Sequence, residues 1–191
     1  MADINQQQDK QEFVHIIDSA GSISYVNDAW LSFAAENGWP ISAEEMLGSN
    51  LMSSIMDPET RHIYELLINR VRQQGQQIHF NYRCDSPDRR RLMEMRISHD
   101  QAADQVVFRS RIISSEKREP ILLIDPSHNN RSDVILKMCS WCKSVWDERN
   151  WVELEKAVRL LGLMTDQVLP RISHGICVEC SKNMTRLIDN P

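Results

Sequence analysis

Several features that define common protein classes are missing from this sequence of 191 residues. No apolar run approaches the roughly 20 residues that a membrane-spanning helix needs. The start of the chain is polar and rich in glutamine, without the apolar core of a signal peptide. Only six glycines occur, and they form no Gly-rich phosphate-binding loop. We therefore expect a cytoplasmic protein that does not associate with membranes.

Positive charge and catalytic motifs are scarce as well. The formal net charge is −5 and the pI is about 5.7, whereas a nucleic-acid surface usually shows a basic stripe. Serine, histidine and aspartate are present, but no motif links them into a catalytic set. No kinase, cyclase or phosphodiesterase region is recognisable. We expect a protein that is not an enzyme, whose output is binding, and for which nucleic acid is an unlikely partner.

Cysteine, in contrast, occurs in an informative arrangement. Two Cys-x-x-Cys pairs, Cys139 with Cys142 and Cys177 with Cys180, are separated by 34 residues. This spacing is typical of a closed, four-cysteine structural zinc site, and thiols stay reduced in the cytoplasm. A redox dithiol and an iron–sulfur centre are the alternatives. His174 could replace one cysteine as ligand, although four thiolates already complete the site and favour a supporting role for it.

Helical patterns surround the two pairs. Residues 151–161 predict one helix, and residues 181–188 predict another that begins directly after the second pair. A cysteine pair at the start of a final helix resembles the treble-clef zinc modules. The segment 134–188 has a thin apolar core, so metal would supply its stability. We predict a small, α-rich, zinc-binding module.

The first part of the chain predicts an α+β domain. Short apolar runs at residues 13–17 and 23–26 flank an Asp/Gly turn, and helices follow. The clearest helix begins at Asp57-Pro58 and ends at Gly75. Three alternating strands come next, at 78–84, 93–97 and 106–112. The predicted fold is a five-stranded antiparallel sheet with helices on one face. The predicted domains are 12–115 and 134–188, joined by a linker at 116–133.

Residues 13–30 resemble the opening of a PAS domain. They run in the order apolar strand, Asp, Gly, second strand, Asn and helix. The resemblance covers about residues 13–115. It implies a sensor or interaction domain that holds a ligand, a cofactor or nothing between its sheet and helices, and that often forms dimers. The segment with Cys139, Cys142, Lys143, Trp151 and residues 173–180 also resembles a cysteine-rich tail of bacterial signalling proteins.

The PAS resemblance directs attention to the helix side of the sheet. The side chains expected to line a ligand pocket there are Phe80, Tyr82, Met93, Met95 and Phe108. His62, on the long helix, resembles the haem ligand of oxygen-sensing PAS proteins, so a haem-binding gas or redox sensor is one alternative. Cys84 is interpreted as a buried free thiol.

A basic cluster, Asp88-Arg89-Arg90-Arg91, stands at the tip of the hairpin formed by the third and fourth predicted strands. Together with Arg83, Arg96, Arg109 and Arg111 it could extend over the outer face of the sheet. The favoured interpretation is a solvated face with ion pairs, and the alternative is a seam for an anionic partner or a dimer.

The function predicted from these features is signal sensing or adaptation in a bacterial-type pathway. The PAS-like domain would bind a small ligand or a partner and form a homodimer. The structural zinc module would then contact an output protein. A PAS-regulated zinc protein that binds nucleic acid is a further alternative, disfavoured by the acidic balance of the chain.

Overall fold

The first part of the chain forms a five-stranded antiparallel sheet. The structure is a computed structural model that describes residues 11–163 and 168–189. The strand order is β2-β1-β5-β4-β3. The strands are β1 (Phe13–Ile17), β2 (Ile23–Val26), β3 (Ile78–Arg83), β4 (Arg89–Asp100) and β5 (Gln105–Lys117). The predicted sheet is confirmed, and β4 and β5 are longer than the alternating pattern indicated.

Three helices connect β2 to β3. They are α1 (Asp28–Glu36), α2 (Ala43–Met46) and α3 (Pro58–Gln74), with a 3₁₀ turn at Leu51–Ser54. Asn27 caps α1 by accepting a hydrogen bond from the Trp30 amide at 2.9 Å. Asp57 caps α3 through the Thr60 amide, and Gly75 ends it in the left-handed region at a φ of 65°. The predicted start of the long helix at Asp57 and its predicted end at Gly75 are therefore confirmed.

The helices cover one face of the sheet and create the first core. Ile17, Ile97, Val106 and Phe108 point from the strands to this face and are almost fully buried. Helix α3 packs against β4 and β5. We refer to residues 11–117, the sheet with these helices, as the N-terminal domain.

The second part of the chain forms a mixed sheet of four strands with the order β8-β7-β6-β9. The strands are β6 (Arg131–Cys139), β7 (Val145–Trp146), β8 (Trp151–Val152) and β9 (Leu169–Gly175). Two helices accompany it, α4 (Leu154–Leu160) and α5 (Val178–Asp189). Strands β6 and β9 are parallel and the other pairs are antiparallel. We call residues 131–189 the Cys module.

The Cys module differs from the α-rich module that the sequence suggested. Residues 151–152 belong to strand β8, so the helix predicted from residue 151 begins only at Leu154. Strand β9 pairs with β6, which lies more than 30 residues earlier in the chain. A parallel pairing over this distance is decided by tertiary contacts, and the short strands lack a clear alternating pattern.

The segment 116–133 does more than link two domains. Strand β5 continues to Lys117, and strand β6 begins at Arg131. Between them, Ile121 and Leu123 are buried in a second core with residues of β6, β7 and α4. Leu123 is completely buried. This segment therefore supplies apolar side chains to the Cys module.

Candidate metal centre and ligand cavity

The four cysteines of the two Cys-x-x-Cys pairs converge on one point. The Sγ atoms of Cys139, Cys142, Cys177 and Cys180 all lie within 4.8 Å of one another. Cys139 is the last residue of β6, and the chain turns at Lys143, whose φ is 62°. Cys177 directly precedes α5, and Cys180 lies in its first turn. The order along the chain is that of a treble clef: a cysteine knuckle, then a short hairpin of β7 and β8, then a cysteine pair at the start of a helix.

The dimensions of this cluster suit a tetrahedral metal ion. A Zn–S bond of about 2.3 Å implies sulfur–sulfur separations of about 3.8 Å in a tetrahedral site. The Cys142 and Cys177 sulfurs are 3.7 Å apart. The backbone amide of Cys177 donates to the Cys139 sulfur at 3.4 Å, and that of Cys180 donates to the Cys177 sulfur at 3.4 Å. Such amide donors stabilise thiolate charge and orient the ligands.

The thiols influence one another strongly at this spacing. The pKa of Cys142 is lowered because the Cys139 and Cys180 thiols donate hydrogen bonds to its sulfur. The pKa of Cys139 is raised to about 11, chiefly by its hydrogen bond to Cys142, and that of Cys180 is also raised. Four negative sulfurs at this distance require a cation between them, so the cluster is chemically suited to a metal ion.

His174 is not part of the sulfur cluster. It lies on β9 opposite Met138 and its side chain is exposed. It lines a separate cavity of about 280 Å³ together with Lys143 and Asp85. Although the residue is exposed overall, partial loss of water around the ring lowers the pKa of His174, and the charge of Lys143 lowers it further. The structure thus gathers four cysteine ligands and leaves His174 outside them.

The turn between the first two cysteines is also the contact to the N-terminal domain. Trp141 is 3% exposed, and its ring stacks on Tyr64 of α3 with centroids 6.0 Å apart. Its carbonyl accepts a hydrogen bond of 2.6 Å from the Arg83 amide at the end of edge strand β3. The Thr60 and Ser140 hydroxyls are 3.1 Å apart. Cys139, Trp141, Cys177 and Met184 therefore belong to the same core cluster as the inner face of the sheet.

A cluster of ion pairs reinforces this contact. Arg83 contacts Asp85 and Glu153, and its Nη2 lies 3.2 Å from Glu155. Arg118 bridges Asp85 at 2.9 Å and Glu155 at 2.5 Å. The Asp85 side chain is completely buried and that of Arg83 is 8% exposed. The sequence analysis missed Trp141 and this ion-pair cluster, and a tryptophan inside a cysteine knuckle was the available signal.

The N-terminal domain contains a cavity between α1 and the sheet, which we call the aromatic cavity. Its volume is about 310 Å³. Aromatic and apolar side chains line it, with Asn37 and Ser110 as polar groups; they include Phe13, Trp30, Phe33, Trp39, Tyr82, Cys84 and Met93. Of the five side chains expected in a ligand pocket, only Tyr82 and Met93 line it. Phe80, Met95 and Phe108 lie in the packed core, and Phe80 also lines a second opening between β3 and α5.

Tyr82 separates the aromatic cavity from a second opening, which we call the thiol groove. This groove has a volume of about 360 Å³ and runs between β3 and α5. Cys142, Cys180 and Trp141 line it together with Tyr82. Burial raises the pKa of Tyr82 above its usual range, and its hydroxyl lies 3.1 Å from that of Ser110. One tyrosine ring thus forms part of the wall of both spaces.

Residues 5–113 match the family described as the PAS fold, and this match covers more than half of the chain. The chain belongs to the PAS family. The resemblance seen in residues 13–30 is confirmed, and the N-terminal domain is the PAS domain. None of the curated proteins compared with the chain matches it.

Solved structures with a similar fold include PAS sensors. A sensory box sensor histidine kinase from Vibrio cholerae is 14% identical, with a TM-score of 0.43 over 58% of this chain and 88% of that one. The PAS domain of the Cronobacter turicensis RpfR quorum-sensing receptor, in complex with C12:0, is 16% identical, with a TM-score of 0.41 over 54% and 94%. The Vibrio cholerae Aer2 receptor, a dual PAS-heme oxygen sensor, is 14% identical, with a TM-score of 0.37 over 55% and 96%. The family assignment rests on the sequence match.

His62 does not point into the PAS domain. Its side chain is 68% exposed on the outer side of α3, where its Nδ1 lies 3.9 Å from Glu65. An axial haem ligand must face an enclosed apolar space. The placement of His62 therefore argues against the haem-binding alternative that named it.

The arginines of the outer sheet face are paired in large part. Arg96 lies 2.7 Å and Arg111 3.0 Å from the carboxylate of Glu94, and Arg109 lies 3.5 Å from Glu12. This agrees with the interpretation of a solvated face with ion pairs. Two of the arginines expected there do not belong to the solvated surface. Arg83 leaves the sheet on the same side as Arg96 but is buried against the Cys module, and Arg91 is buried on the helix side. Among the described helices, none has both the length and the apolar character needed to cross a bilayer.

Proposed function

We propose that this protein is a sensor or adaptor of a signalling pathway, in which the PAS domain receives a small ligand or a partner and the Cys module passes the state on. The Cys module is held by a structural zinc ion and contacts an output protein. The observation that carries this proposal is the shared core, because Trp141 and the cysteines pack directly on α3 and β3. A change of packing in the PAS domain reaches the metal centre without crossing a flexible linker.

Zinc is the metal that best fits the donor set. Four thiolates in a closed tetrahedron suit zinc and leave no coordination position for a substrate. When bound, zinc supplies the positive charge that keeps the four sulfurs together. Cys139 and Cys142 would hold it from the end of β6, and Cys177 and Cys180 from the start of α5. Binding rather than catalysis is therefore the proposed output.

The remaining parts of the proposal follow from the same residues. Four thiols that must stay reduced support a location in the cytoplasm. The aromatic cavity supports a small, largely apolar ligand, because such sites are concave and lined by apolar side chains with few polar groups. We also propose a homodimer through the PAS domain, which sedimentation of the purified chain would test.

The transmission step can be tested by hydrogen exchange with no ligand present. Removal of zinc by a chelator, or the variant Cys180→Ser, should raise amide exchange throughout the Cys module. It should also raise exchange in α3 and at the Arg83 amide, which donates to the Trp141 carbonyl. Wild-type protein should contain about one zinc per chain, since structural sites bind it with about 10–16 kcal/mol.

Cys84→Ser is the matched control, because Cys84 is the one cysteine outside the cluster. This variant should keep its zinc and its exchange pattern. Exchange that rises only in the Cys module after zinc removal would contradict the transmission step. A Cys180→Ser variant that retains full zinc content would contradict the proposed metal site.

A further inference from the structure

Arg91 is a buried cation with no carboxylate partner. Only 7% of the residue is exposed. Its Nη1 donates to the Asn37 side-chain oxygen at 2.6 Å and lies 3.5 Å from the Cys84 carbonyl. Among the described residues, no carboxylate lies within the 4.0 Å of an ion pair, and neither Nε nor Nη2 has a hydrogen-bond partner. A guanidinium carries five N–H donors, so most of its capacity is unused.

The contrast with Arg83 shows how unusual this arrangement is. Arg83 is equally buried at 7%, but it contacts the three carboxylates of Asp85, Glu153 and Glu155. Buried charges in proteins are normally paired, because the cost of removing them from water is otherwise large. The environment of Arg91 thus resembles an ion pair that lacks its anion.

A second unpaired cation faces the same space. Arg89 precedes Arg91 by two residues on β4, so both side chains leave the strand on the same side. Both line a cavity of about 170 Å³, together with the hydroxyl-bearing Ser32 and Ser115 and with one carboxylate, that of Glu36. No ion pair or side-chain hydrogen bond of Arg89 is found among the described residues. We call this space the arginine cavity.

The electrostatics of the arginine cavity favour an anion. Burial lowers the pKa of Arg91, and the positive charge of Arg89 lowers it further. The Cys84 thiol, Asp88 and Glu36 counteract this, and neither carboxylate lies within ion-pair distance of Arg91, although Glu36 lines the cavity. A bound anion between the two guanidinium groups would relieve both the repulsion and the desolvation.

The arginine cavity adjoins the aromatic cavity. Phe13 and Phe33 line both spaces, and their ring centroids are 4.4 Å apart. The Arg91 guanidinium lies 5.4 Å from the Phe33 ring centroid, and its hydrogen-bond partner Asn37 lines the aromatic cavity. A polar head and an apolar body of one small molecule therefore have adjacent places in the fold.

We propose that the ligand of this PAS domain is an amphipathic organic acid, with its carboxylate on Arg91 and Arg89 and its apolar body in the aromatic cavity. This inference rests on the proposed sensing function and adds the chemical class of the ligand. A carboxylate matches the planar fork of a guanidinium in a bidentate contact. The ligand oxygen takes the position on Arg91 that the Asn37 amide oxygen holds in this structure.

The test is a calorimetric titration of the full, zinc-loaded chain with octanoate and with octanamide, which has a similar shape and no charge. Tryptophan emission gives a second readout, because Trp30 and Trp39 line the aromatic cavity. Octanoate should bind at least tenfold more tightly than octanamide. Arg91→Gln should lower octanoate affinity at least tenfold and leave octanamide affinity within twofold. Arg91→Lys keeps the positive charge but loses the planar bidentate geometry. Its octanoate affinity should lie between those of Arg91→Gln and the wild type.

Arg109→Gln is the matched control, since Arg109 lies on the same sheet but on its outer, exposed face. It should bind octanoate like the wild type. Thermal unfolding of each variant is followed in parallel, and Arg89→Gln replaces Arg91→Gln if the latter does not fold. Arg89→Gln should lower octanoate affinity severalfold.

Four results would overturn the proposal. Octanamide could bind as tightly as octanoate, or the folded arginine variants could bind octanoate like the wild type. Octanoate at millimolar concentration could also produce neither heat nor a change in emission. Inorganic phosphate is titrated separately, and tighter binding of phosphate than of octanoate would show a site for a free oxyanion and contradict the amphipathic ligand. None of these results affects the exchange test of the proposed function, which uses no ligand.

Discussion

His15 illustrates how a single residue can report on the core of the PAS domain. Strand β1 places its ring on the helix side of the sheet, stacked on Phe108 with centroids 4.6 Å apart. Burial lowers the pKa of His15 from 6.5 to about 4. The folded protein therefore keeps this imidazole neutral in a pH range where the unfolded chain binds a proton.

A pH dependence of stability follows from this difference. Because the unfolded state binds more protons below pH 6.5, the stabilisation is complete above that value and falls as the pH decreases towards 4. Between neutral pH and about 5.5, the free energy of unfolding should fall by about 1.2 kcal/mol through His15. His15→Gln should lack this part of the decrease in urea unfolding experiments.

His62→Gln serves as the control for this measurement. His62 lies exposed on α3, so His62→Gln controls for the replacement of a histidine outside the core. Any loss of metal from the cysteines at lower pH would be common to all three proteins and cancels in the comparison. An unchanged pH profile in His15→Gln would show that the imidazole is more hydrated than its position on β1 indicates.

At the scale of elements, the ion-pair cluster joins three segments that are distant in the chain. Arg83 ends β3, Arg118 follows β5, and Glu155 lies in the first turn of α4. Their charges meet around Asp85, whose side chain is completely buried. The cluster therefore locks α4 of the Cys module onto the edge of the PAS sheet.

Removal of one member of this cluster should be costly. Arg83→Ala leaves acidic groups at the junction without their partner, and such losses typically cost about 3–5 kcal/mol. The measurement is the free energy of unfolding in urea. Arg109→Ala removes an arginine of the same sheet from a pair with Glu12 in which both side chains are more than a third exposed, and it should cost less than about 1 kcal/mol. Similar losses in the two variants would refute a structural role of the cluster.

At the scale of the whole molecule, the PAS domain and the Cys module share one apolar core. Tyr64 and Tyr82 of the PAS domain and Met184 of α5 belong to this cluster or pack against it. We therefore expect the zinc-loaded chain to unfold in a single cooperative calorimetric transition, although it contains two sheets.

A chain truncated after Lys117 tests this expectation. It would expose the apolar faces of α3 and β3, so it should unfold at a lower temperature than the full chain and tend to aggregate. The full-length variant Trp141→Ala, which loses the central contact between the two parts, should have an intermediate unfolding temperature. A truncated chain that unfolds at the temperature of the full chain would show that the two parts are independent.

By itself, the sequence determines the local structure and the donor chemistry of the candidate metal centre. Alternating strands, the Asp57 cap and the Gly75 stop are properties of neighbouring residues, and they predict a five-stranded sheet with helices on one face. The PAS family was indicated by the resemblance of residues 13–30. The spacing of the four cysteines likewise predicts their convergence, because a Cys-x-x-Cys turn brings two sulfurs to one side. These features depend on short-range geometry, which a single sequence contains in full.

The tertiary structure alone decided how the two parts meet and where charge is buried. The contact of Trp141 with Tyr64, the parallel pairing of β6 with β9, and the exposure of His62 depend on surfaces formed by residues far apart in the chain. The difference between Arg83, which is buried among carboxylates, and Arg91, which is buried without one, has the same origin. Such contacts leave no periodic pattern in the sequence, because each is specified by the complementarity of two folded surfaces.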